Sequence, residues 1–106
     1  MFKFLQRDTS NTIDVNDIDN LTEKINLIDI REAYEYKSGH LSKAKNIPMG
    51  KMLSETERYL DKSKEYYIIC QSGARSSRTC TILKRNGFNL INVSGGVGRY
   101  RGELKK

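Results

Sequence analysis

Histidine and cysteine are scarce in this chain. It holds one His and two Cys in 106 residues, too few to assemble a thiolate-rich metal site. No apolar stretch approaches the length of a membrane span, so no membrane role is expected. The amino terminus, Met1-Phe2-Lys3-Phe4-Leu5-Gln6-Arg7, is too short and too interrupted for a signal-peptide core. The chain is therefore read as a whole mature protein of the cytoplasm, where two cysteines stay reduced. Pro48 is the one proline. There is no repeat, low-complexity segment or linker, and residues 1–106 are read as one domain.

Acid is in the minority. Lys and Arg number 19 against 13 Asp and Glu, a formal charge of +6. Such an excess favours anionic partners. No zinc finger, basic amphipathic helix or aromatic-rich basic sheet accompanies it, so nucleic acid is not expected. A soluble basic surface accounts for the charge, and a small anionic substrate would be served by it equally.

The apolar residues come in strand-like and helix-like runs, which argues against disorder. Up to about Thr9 the chain is read as loose. Thr12 to Val15 reads as a short edge strand. Asn16 looks like the cap of a helix through roughly Lys24, with Asp17 and Asp19 in its first turn. Ile25 to Ile30 is short and rich in branched apolar residues, hence a buried strand. A helix over about Glu32 to Lys37 is closed by Gly39. Ala44 to Ile47 is a shorter strand, stopped by Pro48. Ser54-Glu55-Thr56-Glu57 fits a capping box for a helix to about Leu60.

Tyr66-Tyr67-Ile68-Ile69-Cys70 is the clearest strand, aromatic and branched with no breaker. A loop over Gln71 to Ala74 leads into a helix from about Arg75 to Asn86, with Ser76, Cys80 and Leu83 on one stripe and Gly87 past its end. Leu90 to Val93 is a fifth strand. Ser94-Gly95-Gly96 turns it toward a last short helix holding Arg99 and Tyr100. Strand and helix alternate with room for crossovers. This predicts an α/β fold: a mostly parallel five-stranded sheet with helices on both faces. Ligands bind such sheets beyond the carboxyl ends of the strands, and Cys70 sits at one such end.

The informative segment is Cys70-Gln71-Ser72-Gly73-Ala74-Arg75-Ser76. A reactive cysteine must be a thiolate. The N-terminus of the following helix offers free N–H groups and a positive dipole end, both of which lower a thiol pKa. A loop of small residues can turn its N–H groups inward as an anion nest, and Gly73 permits the dihedrals this needs. Arg75 can clamp an oxyanion or brace the loop. The alternative is a buried structural cysteine followed by an ordinary helix.

The same string resembles the active-site loop of single-domain rhodaneses, the thiosulfate sulfurtransferases. Ile28-Asp29-Ile30-Arg31 resembles that family's Asp-x-Arg segment. Gly39-His40-Leu41 with Ala44-Lys45-Asn46-Ile47-Pro48 resembles its Gly-His-Ile and Ala-x-Asn-Ile-Pro segments. Val93-Ser94-Gly95-Gly96 resembles its late Gly-Gly turn. The resemblance runs from about Thr12 to Gly102, which marks the core of the domain as about 12–102. It departs from the family pattern at two positions. Lys43 stands where a Gly is usual, in what reads as a surface turn, and Tyr100 stands near a common Trp.

The resemblance implies a three-layer rhodanese-like domain and a sulfurtransferase that works by double displacement. Cys70 would be the nucleophile and take a sulfane sulfur from thiosulfate or another small anionic donor. Sulfite would leave, and a thiol or cyanide would accept the sulfur from a Cys70 persulfide. The backbone N–H groups of Gln71, Ser72, Gly73, Ala74 and Arg75 would hold substrate and persulfide, with no metal or organic cofactor. Asp29 and Arg31 would brace the loops. A persulfide carrier or sensor serving a protein donor or acceptor is one alternative. A phosphatase or arsenate reductase is another, but those related enzymes resemble a loop with five residues between Cys and Arg. Here there are four.

Other tempting residues read as structural. His40 precedes a strand at its amino end, away from the expected site. Cys80 lies about 7 Å along the helix from Arg75, on the apolar stripe. Arg78, Lys84, Arg85, Arg99 and Arg101 read as a solvated basic face, with Arg78 and Arg99 able to rim the site. Tyr66 and Tyr67 put one face of the pair into the core.

Overall fold

The computed structural model describes residues 11–106. The expectation of a loose segment up to Thr9 falls outside the described residues. In chain order the elements are β1 (Thr12–Asp14), a 3-10 helix (Val15–Asn20), β2 (Leu27–Asp29), α1 (Ala33–Ser38), β3 (Lys45–Asn46), α2 (Met49–Ser54), α3 (Thr56–Tyr59), β4 (Glu65–Ile69), α4 (Ala74–Arg85), β5 (Asn89–Ser94) and α5 (Gly96–Arg99). The five strands form one sheet in the order β1-β5-β4-β2-β3. Every neighbouring pair is parallel.

The breaker-free run Tyr66 to Ile69 occupies the centre of the sheet because it can be buried on both faces. Tyr66, Ile68 and Cys70 join Ile28, Met52, Leu83 and Leu90 in one apolar cluster. Tyr67 and Ile69 join Val15, Ile18, Leu27 and Val93 in the other. The period-2 alternation of a strand sends neighbours to opposite layers. The result is a sheet between two helical layers.

The local structure departs from the sequence pattern in two places. The helix expected from an Asn16 cap is a 3-10 helix capped by Asp14, whose carboxylate accepts the Asn16 N–H at 2.8 Å. Its buried residues, Val15 and Ile18, are three apart, which suits three residues per turn. The Asn16 side chain is engaged elsewhere. It donates to the Arg99 carbonyl at 3.0 Å and accepts the Arg101 N–H at 2.8 Å. The chain turns extended at Leu21.

The helix expected behind a Ser54 capping box starts earlier. It opens directly after Pro48, whose fixed φ and missing N–H suit a helix entry. It buries Met52 completely and breaks at Glu55, and a single turn, α3, follows. The hydroxyls of Ser54 and Thr56 do not cap; they donate back to the carbonyls of Lys51 and Met52. The remaining helices differ from expectation by their ends. The box of α1 is Glu32 with Glu35, and α5 holds Arg99 as its last residue and leaves Tyr100 just past its end.

Parallel pairing aligns the site. Asp29 lies opposite Ile69, and Ile68 lies opposite Asn92. The segments leaving β2, β4 and β5 therefore emerge together: Arg31, Gln71 and Gly95 stand at one carboxyl edge.

Candidate active site

Cys70 follows β4 directly, and its residue surface is fully buried. Its Sγ accepts the Gly73 N–H at 3.2 Å and the Ser76 N–H at 3.3 Å. The thiol lies 3.4 Å from the Ser76 hydroxyl oxygen. That hydroxyl also donates to the Gly73 carbonyl at 3.1 Å. Burial pushes the Cys70 thiol up. The Ser76 hydroxyl and the N–H groups of Ser76, Gly73 and Ser72 more than offset this and hold it below its ordinary value. The sulfur is thus poised toward the thiolate, the form that attacks.

Two glycines make the nest. Gly73 is left-handed, with φ +105°, and turns the chain so that its own N–H faces the sulfur. Gly96, at φ +61°, is packed so closely that a Cβ there would collide with the carbonyl oxygens of Cys70 and Gln71. Those two carbonyls accept the N–H groups of Val97 and Gly98, each at 2.9 Å. With those carbonyls bonded to α5, the Gly73 and Ser76 N–H groups are the ones turned to the sulfur.

Hydrogen bonds from β2 and β3 converge beside the loop. Arg31 and Asp29 form a buried pair, 3% and 0% exposed by side chain, at 2.9 Å. Arg31 spends its remaining donors on the Gln71 side-chain oxygen at 3.1 Å and the Gly39 carbonyl at 2.7 Å. Asn46 donates to the carbonyls of Asp29 and Arg31, so β3 anchors the same corner. The sequence suggested a bracing role for this pair; in the structure Arg31 reaches Gln71, in the Cys70 loop, and Gly39.

Arg75 was given two roles, clamp or brace. Its guanidinium is bound by both oxygens of Glu35, at 2.9 and 3.0 Å. Gln71, Ser72 and Ala74 are exposed, and Gly73 and Arg75 are half-buried. Glu35 was missed as part of the site because it lies 40 residues from Arg75. The one signal available was its place in the α1 capping box, where it accepts the Glu32 N–H at 2.9 Å. The Arg75 hydrogen bond holds the Glu35 carboxyl down at about 2. The contribution of the pair is therefore fully present above an ordinary Glu value and fades as pH falls toward 2.

The sequence match decides the family: the chain matches the rhodanese-like domain over residues 14–103. The chain belongs to the rhodanese-like family. Among relatives of this rhodanese-like domain, YtwF of Bacillus subtilis (strain 168), provisionally named a sulfurtransferase, is 43% identical over 83 residues. That match covers 78% of this chain and 80% of YtwF. YrkF of the same organism, provisionally named a sulfur carrier protein, is 35% identical over 84 residues, covering 78% of this chain and 45% of YrkF. The crystal structure of a rhodanese-like domain protein from Staphylococcus aureus superposes with a TM-score of 0.76 at 30% identity. It covers 89% of this chain and 95% of that one.

The other sequence candidates stand away from the sulfur's hydrogen bonds. His40 stacks on Tyr36 with ring centroids 3.7 Å apart, and its Nδ1 lies 2.8 Å from the Tyr36 carbonyl oxygen. It also pairs, backbone to backbone, with Lys105. Cys80 is buried among apolar neighbours, and burial pushes its thiol up to about 12. Arg78 and Arg99 are exposed and make no ion pair among the described residues. Lys43 is exposed in a turn, and the Tyr100 hydroxyl donates to Asp19 at 2.7 Å. Among the described residues no three His, Cys, Asp or Glu side chains gather as a metal site, and no helix is long and apolar enough to cross a membrane.

One consequence of this geometry is measurable. Ser76→Ala removes one donor to the sulfur and leaves burial unchanged, so the thiol pKa rises. The pH profile of Cys70 alkylation by iodoacetamide is then expected to move to higher pH, with a several-fold slower rate at neutral pH. A profile that does not move would mean that the backbone N–H groups alone set the thiolate.

Proposed function

We propose that this rhodanese-like protein is a sulfurtransferase that carries sulfane sulfur as a Cys70 persulfide. The observation that carries the reading is the pair of backbone N–H donors, from Gly73 and Ser76, aimed at a single sulfur at a strand's carboxyl end. The Cys70 thiolate attacks the outer sulfur of the donor. The donor's S–S bond breaks, and its remaining fragment departs with the electron pair. Cys70 is left as a persulfide whose charge the N–H groups of the loop, from Gln71 to Arg75, stabilise. An acceptor thiol or cyanide then takes the outer sulfur and restores the thiolate. Both halves proceed with the chain's own groups.

A phosphatase needs its loop arginine on the tetrahedral anion. The four-residue spacing and the Arg75–Glu35 pairing favour sulfur transfer instead. The names of YtwF and YrkF point the same way. Low-molecular-weight donors and protein-borne persulfides both fit, and so does the cytoplasm.

The test is intact mass spectrometry of the reduced protein after thiosulfate or glutathione persulfide. A gain of one sulfur atom, reversed by cyanide and blocked by prior alkylation of Cys70, is expected. No gain with either donor, while Cys70 stays free to alkylate, would sink the reading.

A further inference from the structure

We propose that Glu35 is a specificity-determining residue of the Cys70 site: by cancelling the charge of Arg75 it turns the loop away from dianionic sulfur donors and toward persulfides carried on a thiol. The inference rests on the reading of Cys70 as the sulfur-accepting nucleophile.

The charges that border the loop are few. From Cys70 to Ser76 the only cationic side chain is Arg75. Both of its terminal nitrogens are taken by one carboxylate. The other guanidinium at this corner, Arg31, is taken by Asp29, with its remaining donors on Gln71 and Gly39. These two guanidiniums thus each have an anion of their own, whereas Arg78 and Arg99 point to solvent, exposed and without an ion pair among the described residues. What faces Sγ is uncharged: the N–H donors of Gly73 and Ser76, and the Ser76 hydroxyl.

The two donor classes load this set differently. With thiosulfate the step is Cys70–S⁻ plus ⁻S–SO₃⁻ giving Cys70–S–S⁻ plus SO₃²⁻. Three negative charges meet in the encounter, and like charges at contact are costly where water is thinned. With a persulfide the step is Cys70–S⁻ plus R–S–SH giving Cys70–S–S⁻ plus R–SH, the proton passing to the departing thiolate. One negative charge is present throughout. A nest of neutral donors is matched to one charge, and a second needs a free cation that Glu35 withholds.

Glu35 is also fixed in place. Its Oε1 accepts the Glu32 N–H while both oxygens hold Arg75, so the carboxylate is pinned by the first turn of α1. A pair held at both ends differs from a wandering surface ion pair. Glu35→Gln keeps the shape and, through its one remaining oxygen, the cap hydrogen bond; it deletes the charge and one of the two bonds to Arg75.

The test compares wild type, Glu35→Gln and the double variant Glu35→Gln with Arg75→Gln. The first readout is the ratio of Cys70 alkylation rates with iodoacetate, an anion, and iodoacetamide, which is neutral. That ratio reports the field at the sulfur and needs no sulfur transfer. It is expected to rise roughly fivefold in Glu35→Gln, to shrink with salt, and to return to the wild-type value in the double variant. The second readout is kcat/KM for thiosulfate relative to glutathione persulfide, expected to rise in Glu35→Gln by a similar factor. An unchanged ratio overturns the proposal, and so does a changed ratio with an unchanged donor preference. If the ratio shifts as expected but neither donor loads any variant, the sulfur-transfer reading falls and takes the donor preference with it. Charge cancellation by Glu35 would then stand alone.

Discussion

Cys70→Ser protein, offered a sulfane donor, is expected to take up no sulfur and to lose turnover by at least about 10⁴-fold, the order seen when a covalent nucleophile is removed. The reasons are chemical. A serine hydroxyl is hardly ionised at neutral pH, and the N–H groups around Cys70 offset only part of that gap. An alkoxide is also a poor partner for a soft sulfane sulfur. The fold gives no reason for the variant to fail otherwise. Serine is slightly smaller, and its Oγ can accept the same Gly73 and Ser76 N–H groups. The melting temperature is therefore expected to stay within a few degrees of wild type. Sulfur uptake by Cys70→Ser would move the chemistry to Cys80, against its burial and its raised pKa.

The second large effect belongs to a residue with no functional group. In Gly96→Ala the new methyl meets the carbonyl oxygens of Cys70 and Gln71 and the Gln71 carbonyl carbon. These are backbone atoms and cannot swing aside. The left-handed φ of +61° adds the strain of a Cβ in that region. Relief requires α5 to back away and surrender the bonds from Val97 and Gly98. Overpacking, the left-handed penalty and two lost hydrogen bonds together amount to about 3 kcal/mol or more. For a domain of this size that is a fall in Tm of more than about 10 °C. Alkylation of Cys70 should slow as well, because the loop's donors lose their aim. Gly50→Ala is the control, since nothing lies within 4 Å of the added atom. If both variants melt alike and react alike, the close approach of α5 to the loop is not what holds the nest.

The parts of this site that were legible in the sequence are those built from neighbours. Cys70, Gly73 and the opening of α4 fall within one short string, and strand-loop-helix order follows from local pattern. Asp29 and Arg31 were legible for the same reason, being two residues apart. What the string did not carry is how distant segments meet. Glu35 reaches Arg75 across 40 residues. Gly96 could be read as a turn residue, but its contact with the Cys70 carbonyl exists only once β5 lies beside β4. Likewise α2 was hidden because Ser54 and Glu57 carry a cap signature. Burial of Met52 and the entry at Pro48 overrode it. Propensity yields to packing where the two disagree.

The Ser76 hydroxyl has a single proton and two oxygen- or sulfur-lined places to put it. While Cys70 is a thiol, its S–H faces the Ser76 oxygen and the hydroxyl proton rests on the Gly73 carbonyl. Once the sulfur is ionised, that proton can swing to the sulfur. The Gly73 carbonyl is not stranded by the swing, since it also accepts the Ser77 N–H at 3.0 Å. Taking up or releasing charge at the sulfur thus needs a turn about one C–O bond, a picosecond-to-nanosecond event, and no rearrangement of the chain. Ionising the sulfur moves one hydrogen atom and asks nothing of the backbone around it.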